Sequence, residues 1–142
     1  MIEISNEIIQ NIKFHAEETY PEECCGVLIG KFDVAGKTVF EILRLENSRE
    51  DEKHRRYLIK PQDYLNAERY ARKMGYDIVG FYHSHPEHPA IPSEYDREHA
   101  FPFLSYIIVS VKKGNAVEIN SWVLKEDRSE FELEKIEIKN KI

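Results

Sequence analysis

At 142 residues, 42 % hydrophobic and 32 % charged, the chain has the size and composition of one soluble globular domain (residues 1–142) that buries its own core. Its 26 acidic and 20 basic side chains leave a net charge of −6, which argues against a general nucleic-acid binder. No apolar run reaches the length of a membrane span, and Met1 to Gln10 lack the basic-then-apolar pattern of a secretion signal.

Ser5 is an N-cap for a first helix predicted to run to about Thr19, with Ile8, Ile12 and Ala16 along its inner face and Pro21 stopping it. Cys24 to Phe32 reads as a strand of small and branched apolar residues. Gly36 marks a turn, and Thr38 to Leu45 reads as the antiparallel partner. Cys24 and Cys25 are the only cysteines. Neighbours in a strand face opposite ways, so they are expected to be reduced, which fits the cytoplasm. The charged stretch from Glu46 to Arg56 reads either as a solvated loop or as a mobile flap over a bound substrate.

Pro61 opens a second helix, with Tyr64, Ala67, Ala71 and Met74 on one face and Gly75 as its stop. Asp77 to His85 is apolar on both parities, which predicts a central strand covered on both sides. Ser93 to His99 reads as a short helix. Strands are then predicted at Ser105 to Val111, Val117 to Leu124 and Phe131 to Ile138, the last with a bulge or break near Lys135, where the apolar parity switches. The order predicts a mixed β-sheet flanked by helices in three layers, an α/β or α+β architecture.

Chemistry concentrates in residues 83–96. His83 and His85 are alternate residues of a strand, so both imidazoles share a face and can aim at one ion while Ser84 points away. Pro86 cannot continue a central ladder, so the chain must leave the sheet there, and the proline-stiffened loop returns Asp96 eleven positions after His85. Imidazole and carboxylate are common ligands of divalent metals, and three protein ligands leave one position for water, the mark of a catalytic site. Taken alone, Ser93 and Asp96 read as the N-cap and N3 residues of a capping arrangement. His88 and His99 are rival ligands, read as a neighbouring or surface residue and a structural one. A general base is missing from this stretch; Glu22 and Glu23, at the entry to the first strand, are the candidates.

The glutamate before Cys25-Gly26, the His83-Ser84-His85-Pro86 run and the Ser93-x-x-Asp96 pair together resemble the JAMM (MPN-plus, Mov34/PAD-1) zinc metallopeptidases, in the form of their small stand-alone prokaryotic members. The resemblance covers most of the chain. It implies a cytidine-deaminase-like three-layer sandwich, one zinc held by His83, His85 and Asp96 with water as fourth ligand, Glu23 as general acid/base and Ser93 as oxyanion stabiliser. The substrate it implies is a ubiquitin-like or sulfur-carrier protein cut at a peptide or isopeptide bond after its C-terminal Gly-Gly. Glu46 to Arg56 corresponds to the family's first insertion, which pairs with the substrate's extended tail. The nine positions from Asp96 to Ser105 leave no room for the second insertion of eukaryotic deubiquitinating members. A non-catalytic MPN-type module binding ubiquitin-like proteins is the alternative. A zinc deaminase ranks last, because the Pro-Cys-x-x-Cys that its metal site needs is absent from the sequence.

Overall fold

The computed structural model describes residues 1–54 and 56–140. In chain order they form β1 (Ile2–Ser5), α1 (Asn6–Thr19), β2 (Cys25–Asp33), β3 (Gly36–Leu45), α2 (Pro61–Lys73), β4 (Asp77–Pro86), α3 (Glu94–His99), β5 (Ser105–Lys112), β6 (Asn115–Leu124), β7 (Phe131–Glu134) and β8 (Ile136–Lys139). The expected elements are present within a residue or two, and β1 is an addition. Its four residues, Ile-Glu-Ile-Ser, are too short to separate from a helix leader by pattern, yet Ile2 and Ile4 are fully buried.

Ser5 caps α1, its hydroxyl accepting from the Ile8 amide at 3.2 Å. The buried face of α1 runs through Ile9, Ile12 and Ala16, with His15 beside them; Ile8 sits on its flank, one position off the expected stripe. In α2 only Ala67 and Ala71 are buried. Met74 is 49 % exposed because it falls at the C-cap, after the helix has turned away, and Gly75 follows at φ +79°.

The strands form one eight-stranded mixed sheet, in the order β7-β6-β5-β4-β2-β3-β1-β8. β7 and β8 are consecutive in sequence but lie at opposite edges. The parity switch at Lys135 is therefore the point where the chain leaves one edge and joins the other, which curls the sheet. α1 covers one face with Leu28, Val39, Tyr82, Ile107 and Val109 beneath it; α2 covers the other over Val27, Ile29 and Phe81. These are the three layers of an α/β sandwich.

β4 lies between β2, antiparallel, and β5, parallel, and is buried from Val79 to Pro86. An irregularity opposite Leu28 and Ile29 leaves Val79 without a partner in β2, so Val79 and Tyr82 serve the α1 face, and Ile78 and Phe81 the α2 face. That extra residue sets the parity of everything after it. It sends His83 and His85 to the α2 side at the end of the strand. β4 runs one residue beyond expectation, ending at Pro86 against Val111, and the exit follows at Glu87 with φ +61°.

Candidate metal centre

His83 and His85 meet as their spacing requires, with Nε2 atoms 3.1 Å apart. Asp96 comes to them from the first turn of α3. Its Oδ1 lies 3.3 Å from His83 Nε2 and its Oδ2 3.1 Å from His85 Nε2, with the carboxylate side chain 8 % exposed. The capping reading of the Ser93–Asp96 pair also holds: Ser93 Oγ accepts from the Asp96 amide at 3.0 Å, and the Ser93 amide donates to Asp96 Oδ2 at 2.9 Å. The cap fixes the Asp96 rotamer so that the capping oxygen, Oδ2, also meets His85 and Oδ1 meets His83, and cap and cluster are one construction. Ser93 itself is exposed and lines the same cleft as Glu23, His85 and His88.

Of the two glutamates at the entry to β2, the structure brings in Glu23 and leaves Glu22 exposed. Glu23 is 3 % exposed, and one carboxylate oxygen lies within 4.8 Å of donor nitrogens of both His83 and His85. Burial pushes its carboxyl up to about 8, the His85 charge pulling down and the Asp96 charge adding to the rise. His88 is exposed in the cleft, and His99 Nδ1 donates to its own helix's Tyr95 carbonyl at 2.8 Å, with its ring stacked on Tyr95. Neither reaches the cluster in the way His83, His85 and Asp96 do.

The electrostatics favour a cation. Burial holds His83 towards its neutral form, against the pull of Asp96. Burial opposes ionisation of Asp96 as well, but the His83 charge and the hydrogen bonds from both imidazoles overcome it and hold the carboxyl well below its usual range. His85 loses to burial but gains more from the hydrogen bond and charge of Asp96, which raise its pKa. A tetrahedral zinc with bonds of about 2.0–2.1 Å places its ligand atoms roughly 3.3 Å apart. The two imidazole nitrogens, 3.1 Å apart, match that spacing, and Asp96 sets one oxygen 3.3 Å from His83 Nε2 and the other 3.1 Å from His85 Nε2. His85 Nδ1 faces the Pro89 carbonyl at 2.9 Å, the second contact a ligating imidazole ordinarily keeps, which reserves Nε2 for a metal. The donor set fits zinc.

The segment after β3 packs against this cluster, and sequence reasoning missed what it contributes. Tyr57 stacks on His83, ring centroids 4.6 Å apart. Asn47 Nδ2 donates to the Glu23 carbonyl at 3.1 Å and to the Arg56 carbonyl at 3.0 Å. Only the asparagine in a charged run hinted at a turn-forming hub; Tyr57 leaves no signal in the sequence, because its partner is 26 positions away. Arg55 of this segment lies outside the described residues. Two recesses flank the cluster. One, of about 240 Å³, is apolar, between Tyr57, Phe81, Tyr95, Phe101 and Tyr106. The other, of about 440 Å³, holds the polar and charged side chains of Glu23, Arg56, His85, His88 and Ser93. Cys24 and Cys25 are free and buried, which pushes both thiols up to about 12 and leaves them as packing residues.

The family profile described as prokaryotic homologs of the JAB domain matches residues 5–125. The chain belongs to this JAB family. It is 37 % identical over 91 residues to the desampylase of Haloferax volcanii; the matched stretch is 63 % of this chain and 63 % of that protein, so the chain spans under two thirds of that relative's length. A solution structure of a Desulfitobacterium hafniense protein superposes with a TM-score of 0.87 at 31 % identity, covering 100 % of this chain and 95 % of the other. A JAB1/MPN domain protein from Archaeoglobus fulgidus shares the fold at a TM-score of 0.62 and 19 % identity, over 98 % of this chain and 97 % of its own. In this JAB chain, no helix among the described residues is long and apolar enough to cross a membrane.

Proposed function

We propose that this JAB chain is a zinc-dependent peptidase or isopeptidase that cuts after the C-terminal Gly-Gly of a ubiquitin-like or sulfur-carrier protein. The observation that carries the reading is the convergence of His83, His85 and Asp96 on one point, with the buried Glu23 carboxylate beside them. Zinc held by the two Nε2 atoms and Asp96 would supply Lewis acidity, making water nucleophilic near neutral pH. Glu23 accepts the water proton and returns it to the departing amine, a role its burial suits because its proton affinity is already raised towards neutrality. Ser93 Oγ accepts from the Asp96 amide, which leaves its own O–H to donate to the oxyanion that develops on the attacked carbonyl. Two recesses on either side of the cluster provide for the carrier tail and the leaving group. The likeness to a desampylase supports a ubiquitin-like modifier as substrate.

The direct test is incubation of the zinc-loaded protein with carrier proteins extended beyond Gly-Gly, the cut being located by mass spectrometry. Cleavage after the second glycine is expected. Glu23→Gln should lower the rate by about 10²–10⁴-fold and keep about one zinc per chain. Loss of zinc together with activity would make Glu23 a ligand rather than the base. Carriers left whole by metal-loaded protein would remove the substrate assignment.

A further inference from the structure

The two imidazoles are held by different means. His85 is fixed through Nδ1 on the Pro89 carbonyl. His83 is 1 % exposed, and among the described residues its Nδ1 has no hydrogen-bond partner. An imidazole with no such contact is free to rotate about its outer torsion unless something packs on its face. Tyr57 does so: its ring lies 4.6 Å from the His83 ring with planes 28° apart, and the His85 ring closes the other approach at 4.9 Å and 58°.

Tyr57 is in turn anchored to each segment that brings a donor to the cluster. The Tyr95 hydroxyl donates to the Tyr57 carbonyl at 3.2 Å, and Tyr95 precedes Asp96 on α3. Asn47 clamps the residues on either side, accepting from the Leu58 amide at 3.1 Å and donating to the Arg56 carbonyl, while the same amide nitrogen holds the Glu23 carbonyl. We infer that Tyr57 is a positioning residue for the metal centre, its ring setting the orientation of His83 in place of the hydrogen bond that orients His85. The inference rests on the metal-centre reading above, and it gives the segment after β3 a role independent of substrate.

The test is therefore made without substrate. Zinc affinity is measured by competition with a chromogenic chelator, and cobalt(II)-loaded protein is recorded in the visible for Tyr57→Leu and Tyr57→Phe. Thermal unfolding of the metal-free forms serves as the fold control. Tyr57→Leu should weaken zinc binding by about 10-fold or more, the scale of lost support to a ligand, and alter the cobalt bands. Tyr57→Phe, which keeps the ring, should restore both. Wild-type affinity and an unchanged cobalt spectrum in Tyr57→Leu would overturn the inference, as would an equal loss in Tyr57→Phe, which would place the effect in the hydroxyl. Should the leucine variant fail to fold, Tyr95→Phe carries the test by removing only the hydroxyl that holds Tyr57. A loss of about threefold in affinity is then expected, and none would overturn the inference. Wild-type protein that binds no zinc would bring down the metal-centre reading itself, whereas tight wild-type binding with an indifferent Tyr57→Leu removes only the role of Tyr57.

Discussion

His15 and Tyr82 make a buried polar pair beneath α1, Nδ1 to hydroxyl 2.8 Å, on the sheet face away from the metal cluster. Tyr82 explains the glycine of the Cys25-Gly26 motif. Its ring lies across the neighbouring strand so closely that a Cβ on Gly26 would come within 2.2 Å of it. Burial, with the Arg44 charge behind it, lowers the His15 pKa from 6.5 to about 4. Between those values the unfolded chain binds a proton that the folded one refuses, so stability is complete above 6.5 and falls as the pH drops towards 4. The loss should approach roughly 3 kcal/mol. Urea unfolding between pH 4 and 7 measures it, with His15→Gln as control, since glutamine can still meet the Tyr82 hydroxyl but does not titrate. A variant whose midpoint falls with pH as steeply as the wild type's would show that other groups carry the dependence.

β7 is a four-residue strand with one buried charge, and that charge joins it to the rest of the sheet. Glu134 accepts from Ser105 Oγ of β5 at 2.6 Å and Ser121 Oγ of β6 at 2.8 Å, and pairs with Lys37 of β3 at 3.2 Å. Burial works against the carboxylate, yet the Ser105 hydrogen bond and the Lys37 charge hold its pKa below the usual range. Both side chains are under 10 % exposed, so removing one partner strands the other in the interior. Glu134→Gln should cost about 3 kcal/mol, seen as a lower urea midpoint with an unchanged slope. An unmoved midpoint would mean Lys37 finds water. Little of this was readable from the chain. Local periodicity located α1, α2 and the long strands because each carries its own apolar stripe, and it located the break at Lys135 because parity is local too. What it could not supply is where β8 goes, since pairing with β1 depends on the curl of the whole sheet. The same division holds at the cluster: His83, His85 and Asp96 are visible as spacing, whereas Asn47 and Tyr57 act through contacts that spacing does not encode.

The groups at the cluster come from three separate stretches, the entry to β2, the end of β4 and the start of α3, and the segment after β3 is strapped across them. Without a cation, the molecule must keep an ionised carboxylate, two imidazoles and a protonation-prone glutamate together in a largely buried space. These groups are the least self-sufficient part of an otherwise apolar core, so a metal that binds them only in the folded chain should stabilise the whole fold. Free zinc at about a thousand times its dissociation constant contributes roughly 4 kcal/mol, which for a chain of this length raises Tm by on the order of 10 °C. Scanning calorimetry with zinc and then with a chelator measures the shift, and Asp96→Ala should abolish it by removing the carboxylate that meets both imidazoles. Magnesium should reproduce little of the shift, because a site of two imidazoles and one carboxylate suits a borderline-soft ion better than a hard octahedral one. A chain whose Tm ignores zinc, or gains as much from magnesium, would separate this cluster from metal chemistry and leave Glu23 with no water to deprotonate.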